Sequence, residues 1–111
     1  MTDRVFTDES IARAVDYLTT SAGPIGAARS RMVKARHMVD HIDALMTASS
    51  RKLDWDTRRA EARGSERYHQ AITEHADATG DFEVLKSLRE AASATIQAWQ
   101  TESSNYRGIK I

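Results

Sequence analysis

The clearest pattern along the chain is a run of apolar positions between Pro24 and Met46. Spacings of three and four residues alternate through Ile25, Ala28, Met32, Ala35, Val39, Ile42 and Met46. Residues with this spacing share one face of an α-helix and form the heptad seam along which helices pack. The pattern predicts a helix over about 24–49 whose seam must be covered by another helix.

A shorter helix is predicted before it, over about 7–20. Thr7 is a suitable N-cap, and the acidic residues Asp8 and Glu9 favour the positive end of the helix dipole. Gly23 and Pro24 are predicted to end this helix and to begin the next, because proline is well tolerated in the first turn of a helix.

Residues 50–64 are polar and are predicted to form a loop, with a short helix after Asp56 as an alternative. Trp55 lies in this stretch, and we expect its indole to pack back onto the bundle.

The second half of the chain predicts two further helices, over about 65–79 and 82–103. Gly80 separates two stripes. The early stripe consists of Tyr68, Ala71, Ile72 and Ala76, and the later one of Leu85, Leu88, Ala92, Thr95 and Trp99. The two stripes fall on roughly opposite faces at about 100° per residue. A break at Gly80 explains this more simply than one continuous helix covered on two sides. Residues 104–111 show no helical pattern and are predicted to form a mobile tail.

Together these elements predict an all-α protein. We expect a single domain over residues 1–111, a small helical bundle built on a long antiparallel helical hairpin with heptad-like seams.

The apolar composition predicts a thin core. Of the apolar residues, 17 are alanine, whereas Leu, Ile, Val and Phe together number only 19. Such helices often complete their burial against another chain, so we expect a homo-oligomer or another protein partner. The side chains predicted to make this contact are those of the two stripes: Ile25, Met32, Val39, Ile42, Met46, Leu85, Leu88 and Trp99.

The charge distribution supplies an alternative function. The chain has 16 basic and 16 acidic side chains, so it has no net charge that would attract nucleic acid. Residues 25–59 nevertheless hold eight basic against four acidic groups. A local basic cluster contacts phosphates in many nucleic-acid-binding proteins. The candidate contacts are Arg29, Arg31, Lys34, Arg51, Lys52, Arg58 and Arg59.

The sequence contains few features that would indicate an enzyme or a metal site. The chain has no cysteine, and it contains no nucleophile elbow, P-loop or dinucleotide-binding motif. His37 and His41 have the i, i+4 spacing of helical metal ligands, but they lack the glutamate of HExxH and are more simply surface histidines. We predict no catalytic residue, no resident metal and no cofactor. The polar start of the chain and the absence of a long apolar run predict a cytoplasmic protein without a membrane span.

The second half also resembles a known group of proteins. The resemblance rests on Arg63 to Tyr68, Ala91-Ala92, Ile96, Trp99-Gln100 and the run Ser104-Asn105-Tyr106-Arg107. These residues resemble small helical proteins that tailed bacteriophages and prophages encode, often near recombination or early genes. The resemblance implies an accessory function with no catalytic motif, and it implies a continuous helix where this chain has Gly80-Asp81. Trp99 and the Ser-Asn-x-Arg run are the positions it singles out.

Overall fold

The computed structural model describes residues 5–109, and this part of the chain folds into four helices with no strand. The helices are α1 (Asp8–Thr20), α2 (Ala22–Ser49), α3 (Trp55–Arg63) and α4 (Glu66–Ile109). The predicted all-α class is confirmed.

The start of α1 follows from its capping residues. The Thr7 side chain accepts a hydrogen bond from the Ser10 amide, and the Ser10 hydroxyl accepts one from the Thr7 amide, each over 3.1 Å. This reciprocal capping box satisfies two amides that would otherwise lack a partner at the helix end. The predicted N-cap at Thr7 is confirmed.

Only Ser21 separates α1 from α2, so the predicted boundary at Gly23-Pro24 was wrong by two to three residues. The Ser21 amide donates to the Tyr17 carbonyl and the Ile25 amide donates to the Ser21 carbonyl, each over 2.9 Å. Pro24 lies in the first turn of α2, where the missing amide proton of proline costs least.

The seam of α2 is covered by the chain itself. All seven predicted seam residues are buried or half-buried, with Ala35 and Ile42 the most completely enclosed. The same alternation of three and four extends backward through buried or half-buried residues of α1 and the junction: Ile11, Ala14, Leu18 and Ser21.

The last helix runs without interruption through Gly80, so the two predicted helices, 65–79 and 82–103, are one. Its covered positions alternate by three and four along its length: Tyr68, Ala71, His75, Ala78, Phe82, Leu85, Arg89, Ala92, Ile96, Trp99, Ser103 and Tyr106. Of the predicted early stripe, Tyr68 and Ala71 are covered, whereas Ile72 and Ala76 are exposed and Ala78 takes the next inner position. The predicted tail is helical over 104–109, and residues 110 and 111 lie outside the described part.

The predicted loop over 50–64 is shorter than expected, because α3 occupies most of it. The Asp54 carboxylate accepts a hydrogen bond from the Thr57 amide over 3.1 Å and so caps the start of α3. The irregular connection between α2 and α3 is therefore limited to residues 50–54.

The chain divides into two compact units. The first comprises residues 5–25 and 84–109, and the second comprises residues 26–83. In the second unit α2 and α4 are antiparallel: Arg31, early in α2, contacts Asp81 over 2.7 Å, whereas Asp43, later in α2, contacts Arg63 just before α4 over 3.6 Å. In the first unit Arg89 of α4 contacts the end of α1.

The core is thin, as the composition predicts. Among the described residues no large side chain is fully enclosed, and the buried apolar residues are Ile11, Ala14, Ala35, Ile42, Ala62, Ala71 and Ala78. Alanine lets helices approach closely but removes little apolar surface from water. Burial within the chain therefore contributes less stabilisation than a leucine-rich seam of the same length would.

Candidate functional site

The residues predicted to mediate association mostly face the interior of the chain. Ile42 is buried, and Ile25, Met32, Val39, Met46, Leu85 and Trp99 are half-buried. Only Leu88 is among the exposed large apolar side chains. Seam burial therefore takes place between helices of this chain.

The second unit exposes an apolar edge along α2, formed by Met38 and Leu45. These side chains are 50% and 38% exposed and lie one heptad apart, so they project from the same edge of the helix. Beside Met38 runs a shallow groove lined by Ala27, Ser30, Arg31, Lys34, Ala35, Met38 and Glu74. Exposed apolar side chains beside a groove lined by small residues are typical of a surface that contacts another helix.

One end of this edge is fixed by Arg31. Its guanidinium donates to Glu74 over 2.9 Å and to Asp81 over 2.7 Å, so one arginine on α2 bridges two carboxylates of α4. The hydrogen bond from Arg31, strengthened by its positive charge, holds the pKa of Glu74 below its usual value. The same two carboxylates raise the pKa of Arg31 further above its ordinary range. Arg31 is therefore a link between helices.

The candidate nucleic-acid contacts do not form one cluster. Arg29, Arg31 and Lys34 lie near the start of α2, and Ser49 at its end is about 30 Å from Arg29 along the helix axis. The remaining four candidates are grouped around the α2–α3 connection: Arg51, Lys52, Arg58 and Arg59. Arg58 is engaged locally, since its Nε donates to the Lys52 carbonyl. Within residues 5–109, Arg51, Lys52 and Arg59 form no ion pair.

The most exposed apolar side chains of the second unit stand in this same region, residues 50–59, which comprises the α2–α3 connection and the start of α3. Leu53 is 98% exposed and Trp55 is 61% exposed. The prediction that Trp55 would pack back onto the bundle was therefore wrong for most of its surface. Sequence offered one usable signal: Trp55 follows the N-cap Asp54 in a polar segment without an apolar stripe.

Trp55 also lines a groove between α2 and α3. The groove has a volume of about 350 Å³ and is lined by Asp40, Asp43, Ala44, Thr47, Ala48, Trp55 and Arg59. Trp55 and Arg59 are four residues apart on α3 and so lie on one face of that helix. The α2–α3 connection thus presents an exposed indole beside an unpaired guanidinium.

The connection is held in place by hydrogen bonds. The Ser50 hydroxyl donates to Glu61 over 3.1 Å and accepts from the Lys52 amide over 3.2 Å. Together with the bond from Arg58 to the Lys52 carbonyl, these contacts link the connection to α3 at several points. Its exposed side chains therefore project from an ordered backbone.

His37 and His41 lie on one face of α2, as their spacing predicts. His37 and His41 are both exposed on α2. Among the described residues no group of three or more His, Cys, Asp or Glu side chains is arranged to hold a metal ion.

The positions that the phage resemblance singles out, Trp99 and the Ser-Asn-x-Arg run, lie on the second half of α4. Trp99 is half-buried in the stripe, and its indole Nε1 is buried without a partner among residues 5–109. Ser104, Asn105 and Arg107 are exposed, and Arg107 donates to the Ser104 hydroxyl over 3.3 Å. Because α4 continues to Ile109, Asn105 does not cap the helix.

Over the described residues, no helix combines the length and the apolar character that crossing a membrane requires. No family model, no curated protein and no solved structure matches this chain. Its function must therefore be argued from the surfaces described above.

Proposed function

We propose that this protein is a non-catalytic helical hairpin that acts by protein–protein contact, pairing with a second copy of itself. The observation that carries the proposal is the apolar edge of α2, where Met38 and Leu45 remain 50% and 38% exposed in a chain whose core is thin. A standard protein interface covers about 800 Å² on each partner, and a partner seated on this edge would remove its apolar surface from water.

The exposed apolar edge of α2 is the preferred contact surface. Pairs of helices usually complete their burial as four-helix bundles, in which a second pair covers the flanks of the first seam. Met38 and Leu45 occupy such a flank. The zero net charge of the chain also favours this occupant, because two copies approach without overall repulsion.

The resemblance to phage-encoded helical proteins fits the same proposal. It implies an accessory protein of the host-cell cytoplasm that works by contact and carries no catalytic group. The long continuous α4 agrees with the continuous helix of that group.

The test is the solution mass of three single-residue variants, measured by size-exclusion chromatography with light scattering. We expect a defined dimer or larger assembly for the natural chain and monomers for Met38→Glu and Leu45→Glu, because each places a charge on the contact edge. His37→Glu is the matched control, since it adds the same charge at an exposed neighbour of Met38. Helical content measured by circular dichroism confirms that each variant is folded.

A natural chain that is monomeric at every concentration would refute the proposal. Equal association of Met38→Glu, Leu45→Glu and His37→Glu would refute the assignment of the surface. The cysteine-free sequence allows an independent check, because Met38→Cys introduces a unique thiol. Mild oxidation should then yield a covalent dimer if two copies place this edge at their symmetry axis.

A further inference from the structure

A different part of the second unit carries a separate inference. We propose that the α2–α3 connection is a binding site for single-stranded nucleic acid, in which the Trp55 indole stacks on a base and neighbouring cations contact phosphates. This site does not involve the apolar edge of Met38 and Leu45. It therefore does not depend on self-association.

The indole has the position that stacking requires. Proteins that bind single strands without sequence preference combine exposed aromatic rings with a basic surface along the backbone path. Trp55 is 61% exposed, and it lines a groove that Ala44 and Ala48 help to form. Most of its surface is thus free to contact a ligand.

The charges around Trp55 complement a phosphate backbone. Residues 50–59 contain four basic and two acidic side chains. The guanidinium of Arg59 lies on the same helix face as the indole, and Arg51 and Lys52 precede it in the connection. None of these three is neutralised by an ion pair within the described chain.

Three acidic groups of this region are engaged, whereas Asp40 and Asp56 form no ion pair within the described chain. Asp54 accepts hydrogen bonds from the amide and the hydroxyl of Thr57, Glu61 accepts one from Ser50, and Asp43 pairs with Arg63. The unpaired cations are therefore the groups most available to an anionic ligand. The site is also ordered before binding, which lowers the entropic cost of association.

Single-stranded nucleic acid fits this arrangement better than an anionic lipid surface does. Leu53 and Trp55 are apolar, but Asp54 lies between them and Asp56 follows directly. Inserting carboxylates into the apolar layer of a membrane is costly, whereas they remain hydrated beside an extended strand. A strand needs only one ring and a few cations at each contact point.

The experiment measures fluorescence anisotropy of a labelled oligothymidine at low salt, titrated with the natural chain and with variants. We expect Trp55→Ala to weaken binding about 10-fold or more and Trp55→Phe to retain most of it, since a smaller ring still stacks. Arg59→Gln should weaken binding, whereas Arg29→Gln, which removes an exposed arginine far along α2, should not. If three phosphates are contacted, a plot of the logarithm of the association constant against the logarithm of the salt concentration should have a slope of about −2.

Three results would overturn the proposal. The first is no binding of any single-stranded oligonucleotide at low salt. The second is binding that Trp55→Ala and Arg59→Gln leave unchanged. The third is binding to vesicles of anionic phospholipid with no binding of oligonucleotides, which would assign the connection to a membrane surface. A Met38→Glu variant that is monomeric yet still binds the oligonucleotide would separate this site from self-association.

Discussion

Arg89 shows how one polar side chain holds two helices together. Its Nη1 donates to the Leu18 carbonyl over 2.7 Å and to the Ser21 hydroxyl over 2.6 Å, at the end of α1. A positive charge beside the carbonyls of a helix C-terminus also interacts favourably with the helix dipole. Arg89 thereby stabilises the helix end and the contact between α1 and α4 at once.

We expect Arg89→Met to lower the free energy of unfolding by about 1–3 kcal/mol, because hydrogen bonds from a charged donor are lost and their acceptors lose a partner. Urea denaturation followed by circular dichroism measures the change. Arg13→Met is the control: Arg13 forms an exposed pair with Glu9 within α1, and such pairs contribute at most about 0.5 kcal/mol. Equal effects of the two substitutions would contradict the role given to Arg89.

The Arg31 bridge makes stability depend on pH. The pKa of Glu74 is lowered in the folded chain by the hydrogen bond and charge of Arg31. A carboxyl with a depressed folded pKa stabilises the protein above its unfolded value of 4.5, and this contribution is lost as the pH falls through the folded pKa.

The natural chain should therefore exceed Glu74→Gln in stability at pH 7, and the difference should shrink well below pH 4.5. Urea denaturation of both proteins at pH 7 and at pH 3 measures it. Glu66→Gln, which changes an exposed acid at the start of α4, serves as the matched control. A difference between the natural chain and Glu74→Gln that stays constant with pH would show that the bridge does not act through ionisation.

At the scale of the elements, Gly80 is an ordinary residue in the interior of α4. Among the described glycines none has a positive φ angle, and a β-carbon at Gly80 would meet no atom within 4 Å. Glycine at such a place costs conformational entropy that alanine does not.

Gly80→Ala should therefore raise the free energy of unfolding by about 0.5–1 kcal/mol. Thermal and urea denaturation measure the gain. Gly64→Ala is the comparison: Gly64 ends α3, and its new β-carbon would lie 3.4 Å from the Ala60 carbonyl, so no comparable gain is expected. Destabilisation by Gly80→Ala would contradict a helix that is continuous at this position.

The elements also show how far sequence patterns lead. The α2 seam was predictable because seven apolar residues occupy it in succession, and Thr7 was predictable because its capping partners are local. The continuity of α4 was not predictable from the sequence, because His75 and Arg89 occupy inner positions while Ile72 and Leu88 are exposed. The inner face of a helix is predicted from the spacing of its apolar residues. In α4 small or polar side chains occupy inner positions, and the contacts that place them there exist only in the folded chain.

The candidate sites were predictable to a different degree. The basic residues between 51 and 59 are evident from the sequence. Their distance from Arg29, Arg31 and Lys34 depends on the length of α2, which only the structure gives. The engagement of Arg31 depends on the register of α2 against α4. The sequence predicts that Trp55 packs onto the bundle, and only the position of α3 reveals its exposure.

At the scale of the whole molecule, the proposed self-association would make stability depend on protein concentration. If a second copy covers the apolar edge of α2, mass action stabilises the folded state as concentration rises. We expect the thermal midpoint of the natural chain to increase with protein concentration and that of Met38→Glu to stay constant. A midpoint of the natural chain that is independent of concentration would contradict self-association.

The passage of α4 from one compact unit into the other has a consequence for how the molecule opens. The division between the two units falls between Glu83 and Val84, inside α4 and not in a loop. Each half of α4 is therefore covered by helices of its own unit. Uncovered helices are marginal in water. Loss of α1 should therefore expose the amides of 84–109 to deuterium together with those of α1, while those of 26–83 stay protected. Hydrogen exchange would then divide one continuous helix into two segments that open separately. The helix would show no break where the two segments meet.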